Sequence, residues 1–143
     1  MPERRLILDD RLLIEELLVG LGRRGELRTT AYWYYRACRA AVVGAGGHLS
    51  GPFVGLDPSQ QTAAIRSLLV LRDDIDLPDP RATVPVMAEL SERHPRLNLL
   101  NLEAAASARV MEAAVLLSSQ AAKGVLPTVL DAEGISWDIV DLT

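Results

Sequence analysis

Cysteine is almost absent from this 143-residue chain: Cys38 stands alone, which excludes an internal disulfide and any cysteine-rich metal site. Histidine is nearly as scarce, and His48 and His94 lie far apart without the spacing that zinc ligands adopt. Aromatic residues make up only 4% of the chain, with a single phenylalanine. No apolar run is long enough to cross a bilayer, because Arg11, Glu15, Glu16 and Arg23 interrupt the first candidate. The amino terminus carries no basic region leading into an apolar core and a small-residue cleavage site. These absences predict a cytoplasmic protein with no membrane partner. An excess of basic charge is missing too. With 15 Lys and Arg against 19 Asp and Glu, the net charge is -4, which argues against a generally nucleic-acid-coating surface and leaves room only for a local basic patch. What is present is an ordinary globular balance, 49% hydrophobic and 24% charged. One domain spanning residues 1–143, with a core of its own, is the expectation.

The chain opens with a short apolar strand over residues 5–9 that ends on a carboxylate. Asp9 or Asp10 then caps a helix over 11–21, with Leu13, Leu17, Leu18 and Leu21 on its buried face. Gly22 and Gly25 end it. Thr29 and Thr30 are N-cap candidates for a helix from Ala31 to Val43, which Gly44-Ala45-Gly46-Gly47 stops. Asp57-Pro58 has the form of a helix start, Asp as N-cap and Pro at the first position. Residues 76–80 read as an irregular connector, Val84-Pro85 as the start of a helix over 86–93, and His94-Pro95 as its end. Residues 97–102 read as a short strand or a bridging turn. The final third alternates: a helix over 103–112, a buried strand over 114–119, a helix over 127–133 and a closing strand over 135–142. Strand–helix–strand rhythm at both ends predicts a three-layer α/β/α domain with a mostly parallel sheet.

In such sheets ligands and catalytic groups collect at the carboxyl ends of strands. Asp9 and Asp10 are there, as carboxylate ligands for Mg²⁺ or Mn²⁺ or simply as an N-cap. Glu103, opening the alanine-rich helix, is either a partner carboxylate or a residue favoured by the helix dipole. Ser118-Ser119-Gln120 follows the late strand, where polar side chains line a crevice or cap a loop, and without a neighbouring histidine the serines are not nucleophiles. Tyr32-Trp33-Tyr34-Tyr35-Arg36 with Arg39 concentrates the aromatics and two guanidinium groups on one helix. That is the chemistry of single-stranded RNA or nucleotide binding, and equally that of a core or dimer interface. The Gly44–Gly47 run follows a helix and lacks Gly-Lys-Ser/Thr, so it is not a phosphate-cradling loop.

Three stretches together resemble the PIN-like domain family, the fold of many ribonucleases including the toxins of bacterial toxin–antitoxin pairs. They are Leu6-Ile7-Leu8-Asp9 with the helix after it, Glu103-Ala104-Ala105-Ala106-Ser107-Ala108 ahead of Val115-Leu116-Leu117-Ser118-Ser119, and Gly134-Ile135-Ser136-Trp137-Asp138-Ile139-Val140. The resemblance implies three or four carboxylates around Mg²⁺ or Mn²⁺ that activate water for RNA hydrolysis. Asp9 matches the first acid and Glu103 the third, which makes these two the candidate catalytic residues and Asp9, Asp10 and Glu103 the candidate metal ligands. The second acid belongs on the helix from Ala31 to Val43, which has no Asp or Glu and offers Arg36 and Arg39 instead. The fourth belongs after the late strand, where Gln120 stands, and Arg11 replaces the family's Ser or Thr. Guanidinium groups in place of carboxylates repel a dication.

The expectation is therefore a PIN-like domain with an incomplete acidic centre, binding Mg²⁺ or Mn²⁺ weakly or not at all. It would act as a homodimer that binds RNA, a nucleotide or an antitoxin-like partner protein through Tyr32, Trp33, Arg36, Arg39, Ser118 and Gln120. Two alternatives stand beside it: an active metal-dependent ribonuclease using Asp9, Glu103 and Asp10, and a protein-interaction or dimerisation module built on the aromatic helix.

Overall fold

The computed structural model describes residues 4–43 and 49–142; the expected helix stop at Gly44–Gly47 and His48 lie outside the described residues. Four strands, β1 (Arg5–Leu8), β2 (Glu26–Arg28), β3 (Ala114–Ser118) and β4 (Trp137–Val140), form one sheet in the order β2-β1-β3-β4. Every pairing among them is parallel, with Ile7 opposite Arg28 on one side and Val115 on the other. The helices are α1 (Asp10–Leu18), α2 (Ala31–Val43), α3 (Pro58–Leu69), α4 (Pro80–Arg93), α5 (Leu99–Met111) and α6 (Leu126–Ala132).

Strand alternation divides the interior in two. Leu6, Leu8, Ala114 and Leu116 face α1, α2 and α3, meeting Leu12, Leu13, Ala37, Ala40 and Leu68. Ile7, Val115 and Leu117 face the other way, onto Leu90, the alanines of α5 and Leu130 of α6. Helices thus cover both faces, giving the three-layer α/β/α architecture with a parallel sheet. This explains why the two central strands, β1 and β3, read as continuous apolar runs rather than alternating ones.

The capping chemistry places most elements where the sequence puts them. Asp57 and Gln60 form a reciprocal capping box at α3. The Thr30 hydroxyl accepts from the Trp33 N–H at the start of α2. Four expectations need correction. Helix α1 ends at Leu18, earlier than Leu21, because Gly20 turns the chain at φ +99° and its N–H closes back on the Glu15 carbonyl. Strand β2 lies in a segment with no strand signal of its own. It forms because Gly25 lets the Arg4 carbonyl approach to bond the Glu26 N–H at 2.9 Å, and Asp76 pairs along its outer edge. Helix α4 begins at Pro80, capped by the Asp79 side chain, so Pro85 lies inside it on an exposed face where water can solvate the freed Arg81 carbonyl. Residues 97–102 are neither strand nor bridging turn: Asn98 caps α5, and Leu99–Leu102 is its first turn.

At the amino edge of the sheet, Glu133 ties three helices together. It accepts from Arg93 of α4 at 2.8 and 3.1 Å, from Arg109 of α5 at 2.6 Å, and lies 2.7 Å from His94 Nε2. The guanidinium of Arg93, the His94 ring and then Arg109 hold its carboxyl down at about 2, against the partial desolvation of its nearly buried side chain.

Candidate functional site at the carboxyl edge

From β1 the chain crosses to β2 on one side, and after four more helices it returns to β3 on the other. The carboxyl ends of β1 and β3 therefore flank the topological switch point, where α/β sheets leave a crevice. Asp9 follows β1 and Ser118 ends β3.

The two are in direct contact. Asp9 is 0% exposed. Its Oδ2 accepts from both the N–H and the hydroxyl of Ser118 at 2.8 Å, and its Oδ1 accepts from the Leu12 N–H at 2.8 Å as the N-cap of α1. Burial pushes its pKa up to about 6, with the adjacent Asp10 charge adding to the rise and the three donors opposing it. Asp9 thus joins β1, α1 and β3, and the Ser118 hydroxyl is committed to it.

Asp10, almost wholly buried, accepts from the Arg11 N–H at 2.8 Å, and its Oδ2 lies 3.0 Å from Arg36 Nε of α2. Arg11 turns instead to Glu15, 3.1 Å away. Asp10 and Arg36 form part of the wall of a cavity of about 320 Å³, together with Trp33, Asn98, Leu100, Asn101 and Gln120. Of the residues expected from sequence, Asp10, Trp33, Arg36 and Gln120 therefore come together. Asn98, Leu100 and Asn101 had not been singled out; recognising Asn98 as an N-cap would have put them at the start of a helix facing the crevice.

Glu103 is placed differently. It sits in the second turn of α5 rather than at its start, and its carboxylate caps a different helix. Oε2 accepts from the Ala31 N–H at 3.0 Å and Oε1 from the Tyr32 N–H at 2.8 Å. With Thr30 taking the Trp33 N–H, three orphan donors of α2 are satisfied. Neither the helix dipole of α5 nor a metal ion is needed to explain this acid.

The aromatic helix splits by function. Trp33 is 2% exposed and belongs to the core against α5. Tyr34 donates its hydroxyl to the Leu68 carbonyl at 2.8 Å, fastening α2 to α3. Tyr32 and Tyr35 are exposed, as are Arg36 and Arg39.

The donor set does not fit a dication. Among the described residues no three His, Cys, Asp or Glu side chains gather as a metal-binding group, so Asp9, Asp10 and Glu103 do not form the expected cluster. The physical reason is that Asp9 already answers three protein donors, Asp10 is neutralised by a guanidinium, and Glu103 is turned to the backbone of α2. Mg²⁺ and Mn²⁺ need charged oxygens that remain free to coordinate.

No family model matches the sequence, and no curated protein matches it. Among solved structures, the chain is similar to VapBC-1 from nontypeable Haemophilus influenzae, with a TM-score of 0.53 and 14% identity over 94% of this chain and 97% of that one. At that identity the likeness is one of architecture, and with the parallel sheet and the helices on both of its faces it makes the fold of this chain PIN-like.

Proposed function

We propose that this PIN-like domain binds single-stranded RNA in the crevice at the carboxyl edge of its sheet, and that its acidic centre is too incomplete for metal-dependent cleavage. The observation that carries this reading is the engagement of every candidate carboxylate by protein donors, which leaves Arg36 as the charged group half open to solvent in the cavity wall. Exposed Tyr32 and Tyr35 offer rings on the same helix as Arg36 and Arg39, a combination suited to an unpaired strand. Ser118 and Gln120 have separate parts in this reading: Ser118 fixes Asp9, and Gln120 offers its amide to the ligand. The test is fluorescence anisotropy with a labelled single-stranded oligoribonucleotide, in EDTA and in Mn²⁺, followed by gel analysis of the same samples. Saturable binding of intact RNA under both conditions is expected. Mn²⁺-dependent cleavage that Asp9→Asn abolishes would overturn this reading in favour of an active ribonuclease with Asp9 and Glu103 as catalytic residues.

A second reading is favoured by exposed apolar side chains on α2 and at the end of α3, namely Tyr35, Val42, Val43, Leu69 and the capping Val70. Exposed apolar clusters mark interaction surfaces, and the likeness to VapBC-1 makes an antitoxin-type protein the partner of choice, with a second copy of the chain as the competing occupant. Sedimentation of the purified chain separates them: a dimer that dissociates on Val42→Glu assigns the surface to self-association, and a monomer leaves it for another protein.

A further inference from the structure

Resting on the RNA-binding reading, we infer that the Asp10–Arg36 ion pair is an internal substitute for the ligand: Arg36 leaves Asp10 to hold the phosphate of one nucleotide unit in the cavity, without a metal ion. The two partners are unequal. The Asp10 side chain is 6% exposed and fixed by the Arg11 N–H, whereas the Arg36 side chain is 45% exposed on a long stem. One end of the pair is anchored and the other can swing.

A guanidinium carries five donors in a planar fork that matches phosphate oxygens two at a time. A single carboxylate with one oxygen already committed to Arg11 does not exhaust it. The remaining walls suit the rest of a nucleotide. Asn98, Asn101 and Gln120 bring side-chain amides that can meet a base edge or ribose hydroxyls, and Leu100 and Val125 give an apolar surface for a base. At about 320 Å³ the cavity is at the small end of ligand pockets, too small for a duplex. Arg39, one turn further along α2, is exposed and makes no ion pair with a described residue, so it extends the positive edge toward the next phosphate.

The acid is then a competitor of the ligand. In a metal site, neutralising a carboxylate weakens binding; here it must strengthen binding, because Asp10 both occupies Arg36 and repels the phosphate. This reversal of sign separates the two kinds of site.

The experiment measures binding of a labelled single-stranded oligoribonucleotide in EDTA to the wild type, Arg36→Ala, Arg36→Lys and Asp10→Asn, with a nucleoside monophosphate and inorganic phosphate as competitors. Arg36→Ala should weaken binding about tenfold or more, the loss of a charged hydrogen-bonding group. Arg36→Lys should recover part of that, and Asp10→Asn should tighten binding severalfold. Competition by the monophosphate at lower concentration than the oligonucleotide would assign the cavity to a free nucleotide; the reverse assigns it to a strand, and both support the inference. Failure of the wild type to bind RNA or nucleotide overturns this inference together with the function it rests on. Wild-type binding that neither Arg36 variant alters overturns the inference alone, as does weaker binding by a folded Asp10→Asn. Arg36→Ala leaves the buried Asp10 carboxylate without its counter-charge and should lower the melting temperature, so Arg36→Lys, which keeps the charge, holds the test open where Arg36→Ala or Asp10→Asn unfolds.

Discussion

Asp9 gives the protein an unusual dependence of stability on pH. Its carboxyl ionises near 3.8 in an unfolded chain and at about 6 in the fold, chiefly because it is buried. The folded state therefore holds this proton more tightly than the unfolded chain does. Stability from this group is greatest below pH 3.8 and declines as pH rises through 6. The full difference is about 3 kcal/mol, of which about 2 kcal/mol is recovered on going from pH 7.5 to 4.5. For a chain of this size that raises the melting temperature by about 4–8 °C. Glu133 works in a lower window. Its carboxyl is held at about 2 instead of 4.5, so its contribution is present above pH 4.5 and is lost as pH falls toward 2, barely touching the Asp9 window. Urea melts at half-unit intervals from pH 4.5 to 7.5 read the slope directly, for the wild type and Asp9→Asn. The amide has no proton to exchange and should flatten the curve, whatever its overall stability. A wild-type curve that is flat or climbs over this range, or an Asp9→Asn curve that keeps the slope, would refute the reasoning. Mn²⁺ at pH 7.5 should leave the wild-type curve unmoved, since a dication bound by Asp9 would favour the ionised form and reverse the trend.

Three further outcomes follow from the geometry. Glu103→Ala strips two backbone donors of α2 of their acceptor and should cost about 2–3 kcal/mol by urea melt, with Glu103→Gln recovering part through its remaining acceptor. Glu133→Gln breaks the junction with Arg93, His94 and Arg109; because both arginines are partly solvated, the loss should be about 1–2 kcal/mol and should shrink in high salt. Gly25→Ala drives a Cβ into the Arg4 carbonyl oxygen at a φ of +150°, and a cost of about 1–3 kcal/mol should appear as a lowered melting temperature.

The fold was legible where local chemistry decides it. Asp57-Pro58 announces a helix because capping and proline geometry are properties of adjacent residues, and β1 and β3 announce themselves because buried parallel strands are apolar throughout. Strand β2 was not legible, since Glu26-Leu27-Arg28 becomes a strand only beside Arg4 and Asp76. Pro85 misled for a related reason: the stronger start signal, Asp79-Pro80, lay five residues earlier. At the candidate site, sequence pointed to Asp9 and Ser118 as strand-end residues, and the structure bonds them to each other. Glu103 was not legible, because its partners are the Ala31 and Tyr32 amides, 72 and 71 residues away, and no pattern within α5 carries that information.

The Glu103 clasp also constrains how the chain reaches its native state. The first turn of α2 stays unfinished until α5 has been synthesised and docked, and β1, the second strand from the edge, has its β3 side bare until still later residues arrive. A nascent chain halted before α5 therefore exposes an unpaired apolar strand beside an uncapped helix, and the amino-terminal half cannot mature ahead of the carboxyl-terminal half during translation.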